Sequence, residues 1–321
     1  MSFQVKFKGG PAGVLDSQTK VFLDGLAPKS GPMSELSPDQ IRSAPSPTTA
    51  YHPIPAPVAV EEIAIPARNG RQVRVRVYRK DENTIAPPLV FIHGGCWVFC
   101  SLDSHDTLCR QLCYESGLTV FSIDYRLAPE AKFPAGAEDC YDTALWISKN
   151  NDKVNVTSDD LLICGDSAGG NLSTVTTLMA KCSGEFKVRG QMLFYPITDA
   201  SRMDNESYIQ FAKNHFLTKE TMEYGSNHYV PSKEELSDPL VSPLLADDLA
   251  EMPKTLIQTA EFDVLRDEAE AYAEKLAENG VDVECVRYNG MIHAYAALIG
   301  KIDLGKAAVS DAAFFLKSFN S

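Results

Sequence analysis

The chain has 321 residues, 44% of them hydrophobic, enough for one large α/β domain or two smaller ones around a substantial core. A net charge of -13 argues against a nucleic-acid or anionic-membrane surface, since either needs a basic patch. No apolar stretch reaches membrane-spanning length and no apolar h-region follows Met1–Lys6, so neither a span nor a signal peptide is expected.

Residues 14–26 have the pattern of a short amphipathic helix, and residues 34–42 of another, with Ser37-Pro38 as N-cap and first helical position. Pro45, Pro47, Pro53, Pro55 and Pro57 then make an extended linker. Residues 1–57 are therefore expected to form an N-terminal arm, either a plain linker or a lid across a site mouth. Residues 58–65 and 73–78 alternate apolar and polar side chains around Asn69-Gly70, a hairpin signal.

From Pro88 the pattern changes to strands alternating with helices. The expected strands are 89–93, 118–124, 161–164, 191–195, 255–259 and 283–288; the helices include 108–116, 136–150, 172–181 and 268–279. This alternation predicts a mainly parallel sheet covered on both faces, with ligands bound beyond the C-terminal strand ends. Residues 199–248 break it. They are too long for an ordinary connection, with helical fragments at 206–213 and 219–227. They are expected to insert over that sheet edge as a cap, which leaves 58–198 and 249–321 as the catalytic domain.

The eight cysteines, Cys96, Cys100, Cys109, Cys113, Cys140, Cys164, Cys182 and Cys285, have no metal-site spacing, and several fall in apolar segments where a thiol packs as a small hydrophobe. A reducing cytoplasm is the expected location, with no metal and no cofactor.

Four features carry chemistry. Gly165-Asp166-Ser167-Ala168-Gly169-Gly170 lies between an apolar strand and a helix, where G-x-S-x-G makes a tight turn with the serine at its tip. His93-Gly94-Gly95-Cys96-Trp97 follows another apolar strand, and its consecutive glycines let successive N–H groups face one point, as an oxyanion requires. The N–H of Ala168 is a further donor. Asp263 and His293 both come just past strands, at the same edge as Ser167. An acyl-transfer serine needs a base, and the base needs an anion. Asp267 rivals Asp263 but suits the first turn of the next helix. His93, His105, His52, His215 and His228 lack the strand-end setting and are expected to be structural or at the surface, with His93 orienting the glycine loop.

Together with Asp124-Tyr125-Arg126-Leu127-Ala128-Pro129-Glu130, these motifs resemble the hormone-sensitive lipase family of α/β hydrolases from about residue 58 to 319. Phe133-Pro134-Ala135, Tyr195-Pro196, Ser242-Pro243-Leu244 and Leu265-Arg266-Asp267-Glu268 extend the resemblance. It implies the α/β-hydrolase fold, an eight-stranded, mostly parallel sheet with a cap built from the arm and the insertion. Ser167 is then the nucleophile, His293 the base, Asp263 its orienter, and Gly95, Cys96 and Ala168 the oxyanion donors, with Gly94 shaping the loop.

The implied activity is a serine carboxylesterase on small-molecule, short-chain acyl esters. Amide, formamide or lactone hydrolysis would use the same residues. A non-catalytic small-molecule receptor is the reading from another class, disfavoured because His293 is kept. The chain departs from the family at Cys96, where a third glycine is usual, and at Val264, where proline is usual. A homodimer through the last strand and helix is compatible with the resemblance, with residues 283–288 as an open edge strand.

Overall fold

The computed structural model describes residues 3–26, 31–44 and 56–319. Four of the five linker prolines (Pro45, Pro47, Pro53 and Pro55) and His52 lie outside the described residues. The described residues contain nine strands: β1 (Lys6–Gly9), β2 (Ala59–Pro66), β3 (Gln72–Arg79), β4 (Pro88–Ile92), β5 (Thr119–Ile123), β6 (Leu161–Asp166), β7 (Val188–Phe194), β8 (Lys254–Phe262) and β9 (Val283–Ile292). They form one sheet in the order β1-β9-β8-β7-β6-β4-β5-β3-β2. The seven strands from β1 to β5 in that order are parallel, and the β2–β3 hairpin is antiparallel at the far edge. The hairpin turns where expected, with Asn69 and Gly70 both at positive φ, 60° and 72°.

Strands β4, β5 and β6 are buried along their whole length, as continuous apolar runs in a parallel sheet require. Helices follow the expected alternation: α1 (Ser17–Asp24), α2 (Pro38–Ser43), α3 (Asp106–Ser116), α4 (Ala135–Lys149), α5 (Ala168–Ser183), α6 (Glu206–Phe211), α7 (Lys219–Tyr229), α8 (Arg266–Glu278) and α9 (Asp303–Lys317). Helices α3 and α9 bury Leu108, Leu112, Val309 and Leu316 against Leu89, Phe91 and Val120 on one face. On the other, α4 and α5 bury Ala144, Ile147, Leu172 and Val175 against Val90, Ile92, Phe121 and Ile163, and α8 covers Ile257 with Tyr272 and Leu276. Each such aliphatic or aromatic side chain contributes about 1.5–3 kcal/mol when removed from water.

Three expectations are corrected. The sheet has nine strands, not eight, because Lys6–Gly9 adds a strand parallel to β9. For the same reason residues 283–288 are not an open edge strand. Lys6 pairs with Val286 and Gly9 with Asn289, and the Lys6–Glu284 and Lys8–Asp311 ion pairs secure the addition. Strand β9 also runs on to Ile292, past the expected end at residue 288. Glu261 accepts the N–H groups of Gly290 at 2.8 Å and of Gly13 at 2.6 Å, which holds Gly290 in the sheet at φ 77°.

At α2, Ser37 and Gln40 form a reciprocal capping box with Pro38 in the first turn. The Arg42 guanidinium donates to the carbonyls of Val98 and Ala128 at 2.8 Å and pairs with Glu130. The arm also meets residues 199–248: Met33 N–H donates to Glu220 at 2.7 Å, and Tyr224 Oη donates to Leu36 O at 2.9 Å. Among the described residues no helix is long and apolar enough to cross a membrane.

Candidate active site

The C-terminal ends of β4, β6, β8 and β9 deliver His93, Ser167, Asp263 and His293 to one edge of the sheet. Ser167 sits between β6 and α5 with φ 56° and ψ -122°, a conformation a side chain adopts only under strain. The turn is closed by two glycines. A Cβ on Gly165 would lie 2.3 Å from the Gly169 carbonyl oxygen, and one on Gly169 would lie 2.0 Å from that of Ile92. Ser167 N–H donates to Phe194 O at 2.9 Å, and the serine carbonyl accepts from Asn171 and Ile197.

The three expected side chains meet. His293 Nε2 lies 2.9 Å from Ser167 Oγ, and Nδ1 lies 2.7 Å from Asp263 Oδ2. All three residues are buried. Asp263 Oδ1 accepts the Leu265 N–H at 3.0 Å, so both carboxylate oxygens are committed. The rival Asp267 is turned away: it accepts from Ser207 N–H at 2.7 Å and from Arg266 at 2.8 Å.

The glycine loop faces the serine with positive φ at three successive residues, Gly95 (113°), Cys96 (50°) and Trp97 (59°). Among the described residues the N–H groups of Gly95, Cys96 and Ala168 have no protein acceptor. Gly94 differs from the donor role given to the loop as a whole, because its N–H is already spent on Asp166 Oδ1 at 2.8 Å. A Cβ on Gly94 would lie 2.6 Å from Asp166 Oδ2, so the loop passes this carboxylate at close range. Burial pushes the Cys96 thiol up to about 12, so the side chain stays neutral beside the loop.

Behind the loop lies a layer that motif reading did not assign. Asp166 is buried and pairs with His105 Nε2 at 3.0 Å. Burial opposes its charge, but His105 and the Gly94 N–H more than offset this and hold the carboxyl below its usual range. His93 is fully buried, its Nδ1 is 2.8 Å from Gly94 O, and its ring stacks on Tyr125 at 4.4 Å. Burial, reinforced by His105, lowers it to about 4. His93 is thus neutral and packed against the loop. His105 is structural but far from the surface. His215 stacks on Phe262 and His228 bonds Tyr224 O, both away from the relay.

Tyr195, at φ 35°, packs its ring 4.6 Å from His293. Asn171 ties three segments together: it accepts from Trp97 Nε1 at 3.3 Å and donates to Ile197 O and Val241 O. Asp166 was legible inside the G-x-S-x-G motif. His105 and Asn171 carry no local signal, since their partners lie about 60 and 70 residues away in the chain.

A family model described as the alpha/beta hydrolase fold matches residues 89–297. An arylesterase of Saccharolobus solfataricus is 35% identical over 225 residues, 70% of this chain and 73% of that protein. An ethyl acetate hydrolase of Pseudomonas putida is 32% identical over 263 residues, 80% and 82% of the two chains. The crystal structure of a thermostable esterase from Pseudomonas putida superimposes with a TM-score of 0.91 at 35% identity, covering 98% of this chain and 99% of that one. With the strand-end serine, the glycine loop and the sheet order on which they sit, these matches establish that the chain belongs to the α/β-hydrolase fold family, in its hormone-sensitive-lipase-like branch.

Proposed function

We propose that the protein is a serine carboxylesterase that hydrolyses short-chain acyl esters of small alcohols. The observation that carries this reading is the relay Ser167 Oγ–His293–Asp263, at 2.9 and 2.7 Å. The names of its relatives, an arylesterase and an ethyl acetate hydrolase, support the same bond type. Ser167 attacks the ester carbonyl as His293 Nε2 takes its proton, and Asp263 holds the imidazolium that forms. The N–H groups of Gly95, Cys96 and Ala168 receive the oxyanion. The alcohol leaves with the proton from His293, and water then repeats the sequence on the acyl-enzyme. The three side chains supply nucleophile, base and anion, so these steps need no further group.

The arm and residues 199–248 form the cap in this reading, joined through Met33–Glu220 and Tyr224–Leu36. Eight free thiols support a reducing compartment, and the cytoplasm is the location in this reading.

Hydrolysis of p-nitrophenyl esters of increasing acyl length, by wild type, Ser167→Ala and His293→Ala, tests this. Activity should peak at the shortest chains and fall on the order of 10^6-fold in either variant. Full esterase activity in Ser167→Ala overturns it. An inert wild type shifts the assignment to amide or lactone hydrolysis, or to a receptor.

A further inference from the structure

The oxyanion loop and α7 meet where neither can yield. Gly225 lies in the middle of α7 and is buried. A Cβ placed on it would fall 2.6 Å from Cys96 Cβ and 3.0 Å from the Cys96 carbonyl oxygen. Both atoms are fixed to the backbone, so no side-chain rotation relieves the contact. The loop is also tight within itself, since a Cβ on Gly95 would meet Phe99 O at 2.4 Å. A glycine inside a helix costs about 1 kcal/mol relative to alanine, so its presence there calls for a packing reason. The Cys96 Cβ supplies one. The same helix grips the loop at two more points: Tyr229 stacks on Trp97 at 4.3 Å, and Tyr224 stacks on Phe99 at 5.9 Å.

We propose that Gly225 is a positioning residue, a seat in α7 for the Cys96 Cβ that fixes where the Cys96 N–H points. The proposal rests on the esterase reading above, in which that N–H receives the oxyanion. It gives the Cys96 departure a structural counterpart: the side chain added to the loop is matched by the one missing from the helix. A methyl group at 225 displaces the donor from the tetrahedral intermediate while leaving the bound ester little changed, so kcat falls and KM holds.

The test compares Gly225→Ala, Gly225→Ala/Cys96→Gly and Gly225→Ala/Cys96→Ser on p-nitrophenyl acetate. Cys96→Gly removes the clashing Cβ, and Cys96→Ser keeps it. Gly225→Ala should lose about tenfold or more in kcat with KM within about twofold, and only the Cys96→Gly partner should restore kcat. If Gly225→Ala fails to fold, the two double variants carry the test: recovery with glycine and not with serine supports the seat. Recovery in both, recovery in neither, or an unimpaired Gly225→Ala overturns it. A wild type inert on every ester defeats the esterase reading instead. The seat is then judged by Trp97 fluorescence in a Trp146→Phe background, Trp146 being the other tryptophan. An emission change in Gly225→Ala that the Cys96→Gly partner reverses keeps the seat; no change overturns it.

Discussion

Asp166 accepts the Gly94 N–H at 2.8 Å, so the residue beside the serine holds the loop that faces it, 72 positions away in sequence. The same carboxylate pairs with buried His105. The two strand ends, β4 and β6, are therefore locked by one charge rather than by packing alone.

Replacing that charge gives the first prediction. Asp166→Asn leaves the Gly94 N–H and His105 Nε2 facing a neutral group, and losing hydrogen bonds to a buried charge costs about 1.5–3 kcal/mol. Asp166 is held below its usual range in the fold. Its stabilising charge is thus fully present above the ordinary aspartate value, about 3.9, and is lost as pH falls through the lower folded value. The gap in stability between wild type and Asp166→Asn should be widest near neutrality and close below about pH 4. Urea melts from pH 7 to pH 2.5 measure it, and a gap that does not narrow refutes the charge argument.

The two acids of the Asp263–Asp267 region should separate cleanly. Asp263→Asn leaves His293 Nδ1 facing an amide, and kcat should drop on the order of 10^4-fold with the fold retained. Asp267 braces Ser207 and Arg266 instead. Asp267→Asn should keep kcat within about threefold while lowering the melting temperature. Equal losses of kcat in both would mean that the assignment of the orienting acid is wrong.

Most of this arrangement was legible because each element was announced locally. Leu89–Ile92 and Leu161–Cys164 are apolar runs with no alternation, and each runs straight into its glycine motif. Asp263 and His293 could be found because they follow such strands. Three things were not legible, and all are long-range. Lys6–Gly9 is a half-polar tetrapeptide whose strand conformation is set by β9, not by its own pattern. The run of β9 past residue 288 through Gly290 is held by Glu261, a carboxylate 29 residues earlier in the chain. Gly225 reads as a weak point in a helix until Cys96 is seen against it.

The β1 strand yields a prediction about association. Removing residues 1–9 strips the pairing from Val286 to Asn289 and leaves β9 with unpaired backbone groups at an edge. The shortened protein should self-associate, seen as a higher apparent mass by light scattering at concentrations where the full chain keeps its own mass. Unchanged mass would mean that the β9 edge is guarded by something other than β1.

Glu268 provides the last prediction. Its carboxyl is buried at the start of α8, with Oε1 accepting from Thr198 and Asp199 N–H at 2.9 and 3.2 Å. Among the described residues Oε2 has no partner. Burial pushes the group well above the glutamate range, and Asp199 and Asp263 push the same way, against the two backbone donors. The folded chain therefore holds this proton at pH values where the unfolded chain has released it, above about 4.3. Folding stability then declines as pH rises through that window. Glu268→Gln keeps the acceptor for both N–H groups and has no proton to lose. Its stability should match wild type most closely near pH 4.5 and exceed it increasingly toward pH 9. Thermal melts of both proteins across that range decide the matter. Parallel curves would mean that Glu268 keeps its ordinary ionisation in the fold, and that the backbone N–H groups of Thr198 and Asp199 are bound to a charged carboxylate after all.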